Sequence, residues 1–145
     1  MLRIWILLSL LFLGCDRNGT GVSQALVDPN PILAAAVDGA THLEFRCGSF
    51  MEEEKRRVLI TDDAEIRRFL SSIELESFPE GSLVHCYCDG DPHVIVQVGP
   101  GATTEFTIHH SSSIRWDRYE TDLELTEDSK ARLGEFLSRH RISSK

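Results

Sequence analysis

Residues 85–116 read HCYCDGDPHVIVQVGPGATTEFTIHHSSSIRW, and the fold turns on this stretch. It carries two of the four cysteines and four of the six histidines. Three groups of turn residues divide it: Asp89-Gly90-Asp91-Pro92, Gly99-Pro100-Gly101 and Ser111-Ser112-Ser113. In the first group glycine supplies positive φ and proline sets the restart, and the chain is expected to reverse at all three. The segments between are of strand length and either alternating or continuously apolar, the pattern of an antiparallel meander. Together with the residues just before it, the stretch predicts four strands, over 83–88, 93–98, 103–109 and 114–117. In the first of these, Val84, Cys86 and Cys88 share one face while His85 and Tyr87 share the other.

Working outward, residues 41–47 put Leu43, Phe45 and Cys47 on one face and His42, Glu44 and Arg46 on the other, which is a half-buried strand. The short run RVLIT over 57–61 gives a second strand, and the two are expected to form a hairpin. Asp62 followed three residues later by Glu65 matches a capping box. Ile66, Phe69, Leu70 and Ile73 then recur at helical spacing, predicting an amphipathic helix over 63–74. Downstream, Thr126 stands as the N-cap of a last helix within 125–140, with Glu127 and Asp128 favourably placed in its first turn. Leu133, Phe136 and Leu137 form its buried stripe. The order hairpin, helix, four-strand meander, helix defines an α+β domain over residues 41–142. It has one antiparallel sheet of about six strands with two helices packed on one face.

Residues 1–15 read MLRIWILLSLLFLGC, a basic start at Arg3 and an apolar run that ends in Gly14-Cys15. The run is too short for a comfortable membrane span and the right length for the hydrophobic part of a signal peptide. Its end resembles the cleavage site of bacterial lipoprotein precursors, in which the cysteine is acylated and becomes the first residue. That resemblance implies a signal peptide over 1–14, lipidation at Cys15, and residence at the cell membrane facing the periplasm or exterior. Residues 15–40, with Gly, Asn, Pro and Asp scattered through them, are expected to form a flexible tether with one short helical turn over 32–37. The chain carries a net charge of −8. Such a surface repels a phosphate backbone, which argues against nucleic acid as a partner. Several acyl chains, at about 0.8 kcal/mol per buried methylene, would hold even an acidic protein at a membrane.

With Cys15 assigned to lipid, Cys47, Cys86 and Cys88 remain, and an exported chain meets an oxidising compartment. Cys86 and Cys88 point the same way from one expected strand, where direct pairing is geometrically unfavourable. The expected disulfide therefore joins Cys47 to one of the two, with the partner left open. It would close about forty residues, worth roughly 4 kcal/mol in chain-entropy terms. A second reading is a metal site drawing on Cys86, Cys88, His109 and His110, with His85 and His93 as further candidates, since thiolate and imidazole suit zinc or cuprous copper. Against it, neighbouring His109 and His110 diverge if the strand continues through them. A nucleophilic cysteine needs a lowered thiolate and an orienting group, and no acid stands at a recognisable spacing. Accordingly no catalytic residue and no cofactor is named. Arg115 beside Trp116 suits recognition of an acidic or planar group. The competing reading has Trp116 in the core and Arg115 paired with an acidic neighbour.

Cys86, Cys88, Gly90 and Asp91, followed by His109, His110, Ser113, Arg115 and Trp116, fall in register with C-x-C-x-G-D and H-H-x-x-S-[IL]-R-W. In this respect residues 58–141 resemble a small bacterial domain of that pattern, closed by a leucine-rich helix, with Ser111 where that domain carries glycine. The resemblance implies a ligand or partner site near the cysteines and histidines, made by His109, His110, Arg115 and Trp116. The functional expectation is a membrane-anchored binding module for a protein or envelope component. A Cys/His metal binder stands second and a thiol-dependent enzyme third, with the oligomeric state open.

Overall fold

Alternation across residues 42–47 seeds the sheet. The computed structural model describes residues 24–48, 56–119 and 121–142. In it the first long strand, β2 (His42–Cys47), buries Leu43, Phe45 and Cys47, as expected. A two-residue strand, β1 (Leu26–Val27), and a short helix, α1 (Asn30–Ala36), precede it. β2 pairs antiparallel with β3 (Arg56–Ile60), making the expected hairpin. The chain then enters α2 (Asp63–Ser71), where the Asp62 side chain accepts from the amides of Ala64 and Glu65. Glu65 itself turns to Arg68 and His140.

The helix stops at Ser71, three residues short of the expected end. Ser72 caps it by donating its hydroxyl to Phe69 O at 2.6 Å. Beyond it, Glu76 N and Glu74 O bond across to Glu124 O and Thr126 N, so the chain there is taken into an extended pairing. A second short strand, β4 (Phe78–Pro79), pairs with β1 in a separate two-stranded ribbon.

The meander follows as β5 (His93–Gly99), β6 (Ala102–His109), β7 (Ser113–Arg115) and β8 (Leu123–Glu124), before α3 (Glu127–Arg139). The main sheet has six antiparallel strands in the order β3-β2-β5-β6-β7-β8. The fold is thus the expected α+β arrangement with an open antiparallel sheet. Its membership differs in one place. Residues 83–88 do not form a strand, because both edges of β5 are taken by β2 and β6 and no place beside it is left. β8 fills out the sixth strand instead.

Aromatic rings tie the sheet to the helices. Phe45 of β2 meets Phe69 of α2 edge-on at 5.0 Å, Phe69 stacks on Phe106 of β6 at 6.4 Å, and Phe136 of α3 lies 5.2 Å from Phe69. Thr126 accepts from Ser129 N as the expected N-cap of α3. Leu33 and Val37 also enter this core, so the chain packs onto the domain well ahead of residue 41, and the stretch expected as tether is shorter than its composition suggests. The opposite face of the sheet is polar, with Arg46 and Arg57 near Glu44 and His93 near Glu105. Among the described residues no helix is long and apolar enough to cross a membrane. The signal segment 1–14 and Cys15 lie outside the described residues.

Candidate metal centre

β6 ends at His109, and residues 105, 107 and 109 alternate onto the face away from the helices. The segment 83–91 folds back over that end of the sheet as an irregular loop. Its far end is sewn in by Asp91 N to Ile108 O at 2.9 Å and Ile108 N to Pro92 O at 3.0 Å. Its near end is held by Val84 O, which accepts from Asp122 N at 2.7 Å.

Arg115 and Asp122 hold the middle. The guanidinium pairs with the carboxylate through Nε–Oδ1 at 2.7 Å and Nη2–Oδ2 at 3.0 Å. It also donates to the carbonyls of Cys86 at 2.6 Å and Cys88 at 3.3 Å. Asp122 Oδ2 accepts from Cys86 N at 2.7 Å. Burial pushes the Asp122 carboxyl up, but the bonds from Arg115 and the Cys86 amide outweigh it and hold the group below the usual carboxylate range.

Both cysteine side chains are thereby delivered to the two histidines. Cys88 Sγ lies 3.1 Å from His109 Nδ1 and 3.3 Å from His110 Nε2, and Cys86 Sγ lies 3.2 Å from His110 Nε2. The donor atoms of Cys86, Cys88 and His109 all fall within 4.8 Å of one another. His109 is fully buried, its Nε2 2.9 Å from Thr107 Oγ1 and its ring packed against Gly90. Burial first, and then the Arg115 charge, push its pKa down, which favours the neutral imidazole that ligates metals. In the tautomer that donates Nε2–H to Thr107, the Nδ1 lone pair faces the sulfurs, the usual outer-shell arrangement for a ligating histidine.

His109 and His110 would diverge if the strand continued through them, and it does not. The strand stops at His109, and His110 and Ser111 both take left-handed backbone conformations, φ 51° and 56°. The tight turn after the histidines is therefore made without a glycine at 111, and it swings His110 back to the same sulfurs.

The expected bridge from Cys47 is absent. Cys86 and Cys88 stand at disulfide distance from each other, and Cys47 is a buried free thiol. The correction follows from the loop: the inference against direct pairing assumed a regular strand at 83–88, and this segment is not one. Trp116 does not join the site. It belongs to the core on the helix side, edge-on to Tyr119 at 5.7 Å with the Arg118 guanidinium over its ring at 5.9 Å. Arg115 points to the opposite face and supports the loop through its backbone. His85 lies 3.9 Å from Asp122 and His93 lies 3.3 Å from Glu105, so neither is a member of the cluster. Neither Asp122 nor Thr107 stands out in the sequence, and Gly90 enters there as a turn residue and as a member of the C-x-C-x-G-D pattern.

Donor atoms round a tetrahedral zinc, with Zn–S about 2.3 Å and Zn–N about 2.0 Å, lie roughly 3.3–3.8 Å apart. The sulfur–nitrogen distances of 3.1–3.3 Å fall short of that by only a few tenths of an ångström. A metal would be held only after an external reductant had supplied two electrons to part the sulfurs, since thiolates and not a disulfide ligate metal. Comparison with protein-family models, curated proteins and solved structures finds no match to this chain.

Proposed function

We propose that the domain binds a zinc or cuprous ion through Cys86, Cys88, His109 and His110, in a protein held at the outer side of a cell membrane by an acylated Cys15. One observation carries the metal reading: the donor atoms of Cys86, Cys88 and His109 gather within 4.8 Å of one another, and His110 Nε2 lies 3.2 and 3.3 Å from the two sulfurs. Two thiolates with two imidazoles make a soft-to-borderline donor set, which favours these ions over the oxygen-seeking magnesium and calcium. The acyl anchor is supported by the sequence of residues 1–15 alone.

Metal analysis of protein purified under reducing conditions without chelator tests the first part. Wild type should retain one equivalent of zinc or cuprous ion through exhaustive dialysis, and the Cys86→Ser/Cys88→Ser variant should not. Equal retention by the two proteins would reject the site. For the anchor, Cys15→Ser should abolish acyl labelling and membrane retention. A second reading, contact with a protein or envelope component, draws support from Leu83, Val84 and Tyr87, which are exposed on the same loop.

A further inference from the structure

The four donors are not held alike. Cys86 and Cys88 belong to a loop pinned through its amides and carbonyls by Arg115 and Asp122. His109 is inside the protein, confined by Thr107 and Gly90. His110 alone of the four is exposed. It sits on the left-handed turn outside the strand, and its Nε2 reaches the sulfurs from the solvent side. Tyr87, between the two cysteines, is fully exposed, so the loop does not close over that side. Rotation about the His110 side chain would open a coordination position to solvent while three donors stay in place.

Resting on the metal-site reading above, we infer that His110 is the exchangeable ligand of the centre, and that the position it vacates accepts an imidazole or thiolate from an incoming metal acceptor. In the exchange the metal–Nε2 bond breaks as a metal–nitrogen or metal–sulfur bond to the acceptor forms. The imidazole leaves with its lone pair, an acceptor thiol loses its proton to solvent, and no electron changes hands. A fixed three-donor platform with one releasable ligand is the arrangement of a centre that passes its ion on.

The test loads the reduced, full mature protein with cobalt(II), a visible reporter of tetrahedral thiolate coordination. His110→Gly relieves the left-handed backbone and leaves room for an added ligand, and His110→Asn, which tolerates the same φ, serves if the glycine variant does not fold. The variant should keep the thiolate-to-cobalt absorption, bind more weakly, and surrender the ion faster to a competing chelator. Added imidazole should restore the wild-type ligand-field band, whereas a small thiol should instead strengthen the thiolate absorption, which separates the two acceptor chemistries. A folded variant that binds no cobalt, or that releases it at the wild-type rate with a spectrum insensitive to both additives, would overturn the inference. Lack of a thiolate band in the wild type would remove the metal site itself.

Discussion

Arg115 at the end of β7 and Asp122 just ahead of β8 form a two-pronged ion pair, Nε–Oδ1 2.7 Å and Nη2–Oδ2 3.0 Å, on which the cysteine loop hangs. Each partner also holds the backbone at Cys86, one through its carbonyl and the other through its amide. Asp122→Ala removes the contact to the Cys86 amide and leaves the guanidinium without its counter-ion. Because Arg115 keeps some solvent contact, the expected loss is about 2–3 kcal/mol, below that of a fully buried pair. Urea denaturation of the two proteins measures it, and Asp122→Asn should retain part of the difference. A loss within the scatter of ordinary surface substitutions, about 0.5 kcal/mol, would mean that the latch does not hold the loop.

Gly90 sets the position of the buried imidazole. Its φ is +67°, and a Cβ there would meet His109 Cδ2 at 2.8 Å and Cε1 at 2.9 Å. Gly81 has a similar φ of +79° but open space around it. Alanine at either site bears the left-handed penalty of roughly 1–2 kcal/mol. Only Gly90→Ala must also displace the ring. The expected outcome is that both variants lose stability while only Gly90→Ala loses metal affinity, measured by competition with a chelator. Equal affinities in the two variants would count against His109 as a ligand.

The hairpin and the two longer helices were legible because local pattern and burial agree there: Leu43, Phe45 and Cys47 alternate inward, and Asp62 and Thr126 cap where their side chains can reach the following amides. Residues 83–88 misled for a physical reason. Val84, Cys86 and Cys88 alternate like a strand, yet the sheet has no vacant edge beside β5, and a period-2 pattern carries no information about which edges are free. The histidine pair misled in the same way, since its convergence depends on left-handed φ at His110 and Ser111, a conformation that neither residue type signals strongly. Asp122 was hidden because its partner is fixed only by the pairing of β7 with β8, which a two-residue strand hardly announces.

Cys47 should behave as a shielded thiol outside any bridge. It is buried in the core at the end of β2, and burial, followed by the Asp91 charge, pushes its pKa up. Both effects deplete the reactive thiolate. In protein purified in air, an alkylating reagent should leave Cys47 untouched under native conditions and label it after denaturation without reductant. Cys86 and Cys88 should become labelled only once reductant is added. Peptide mapping that found Cys47 in a disulfide, with either later cysteine alkylated, would reverse the assignment of Cys86 to Cys88.

Glu65 links α2 to α3, with Oε2 3.0 Å from His140 Nε2 and a second contact to Arg68. The bond to His140, and after it the bond to Arg68, hold the carboxyl below the ordinary glutamate value. A carboxylate whose pKa is lower folded than unfolded stabilises the protein above its unfolded value, and that contribution is lost as pH falls through the lowered folded value. Wild type should therefore exceed Glu65→Gln in stability at mildly acidic to neutral pH, and the gap should narrow as the solution is taken below the ordinary glutamate range, about pH 4. Denaturant midpoints for both proteins across that interval read the gap directly. High salt should shrink the Arg68 share of it, because that contact is exposed whereas the bond to His140 is partly buried. A gap that stayed constant down to about pH 2.5, well under the ordinary value, would show that Glu65 acts through packing and not through its charge.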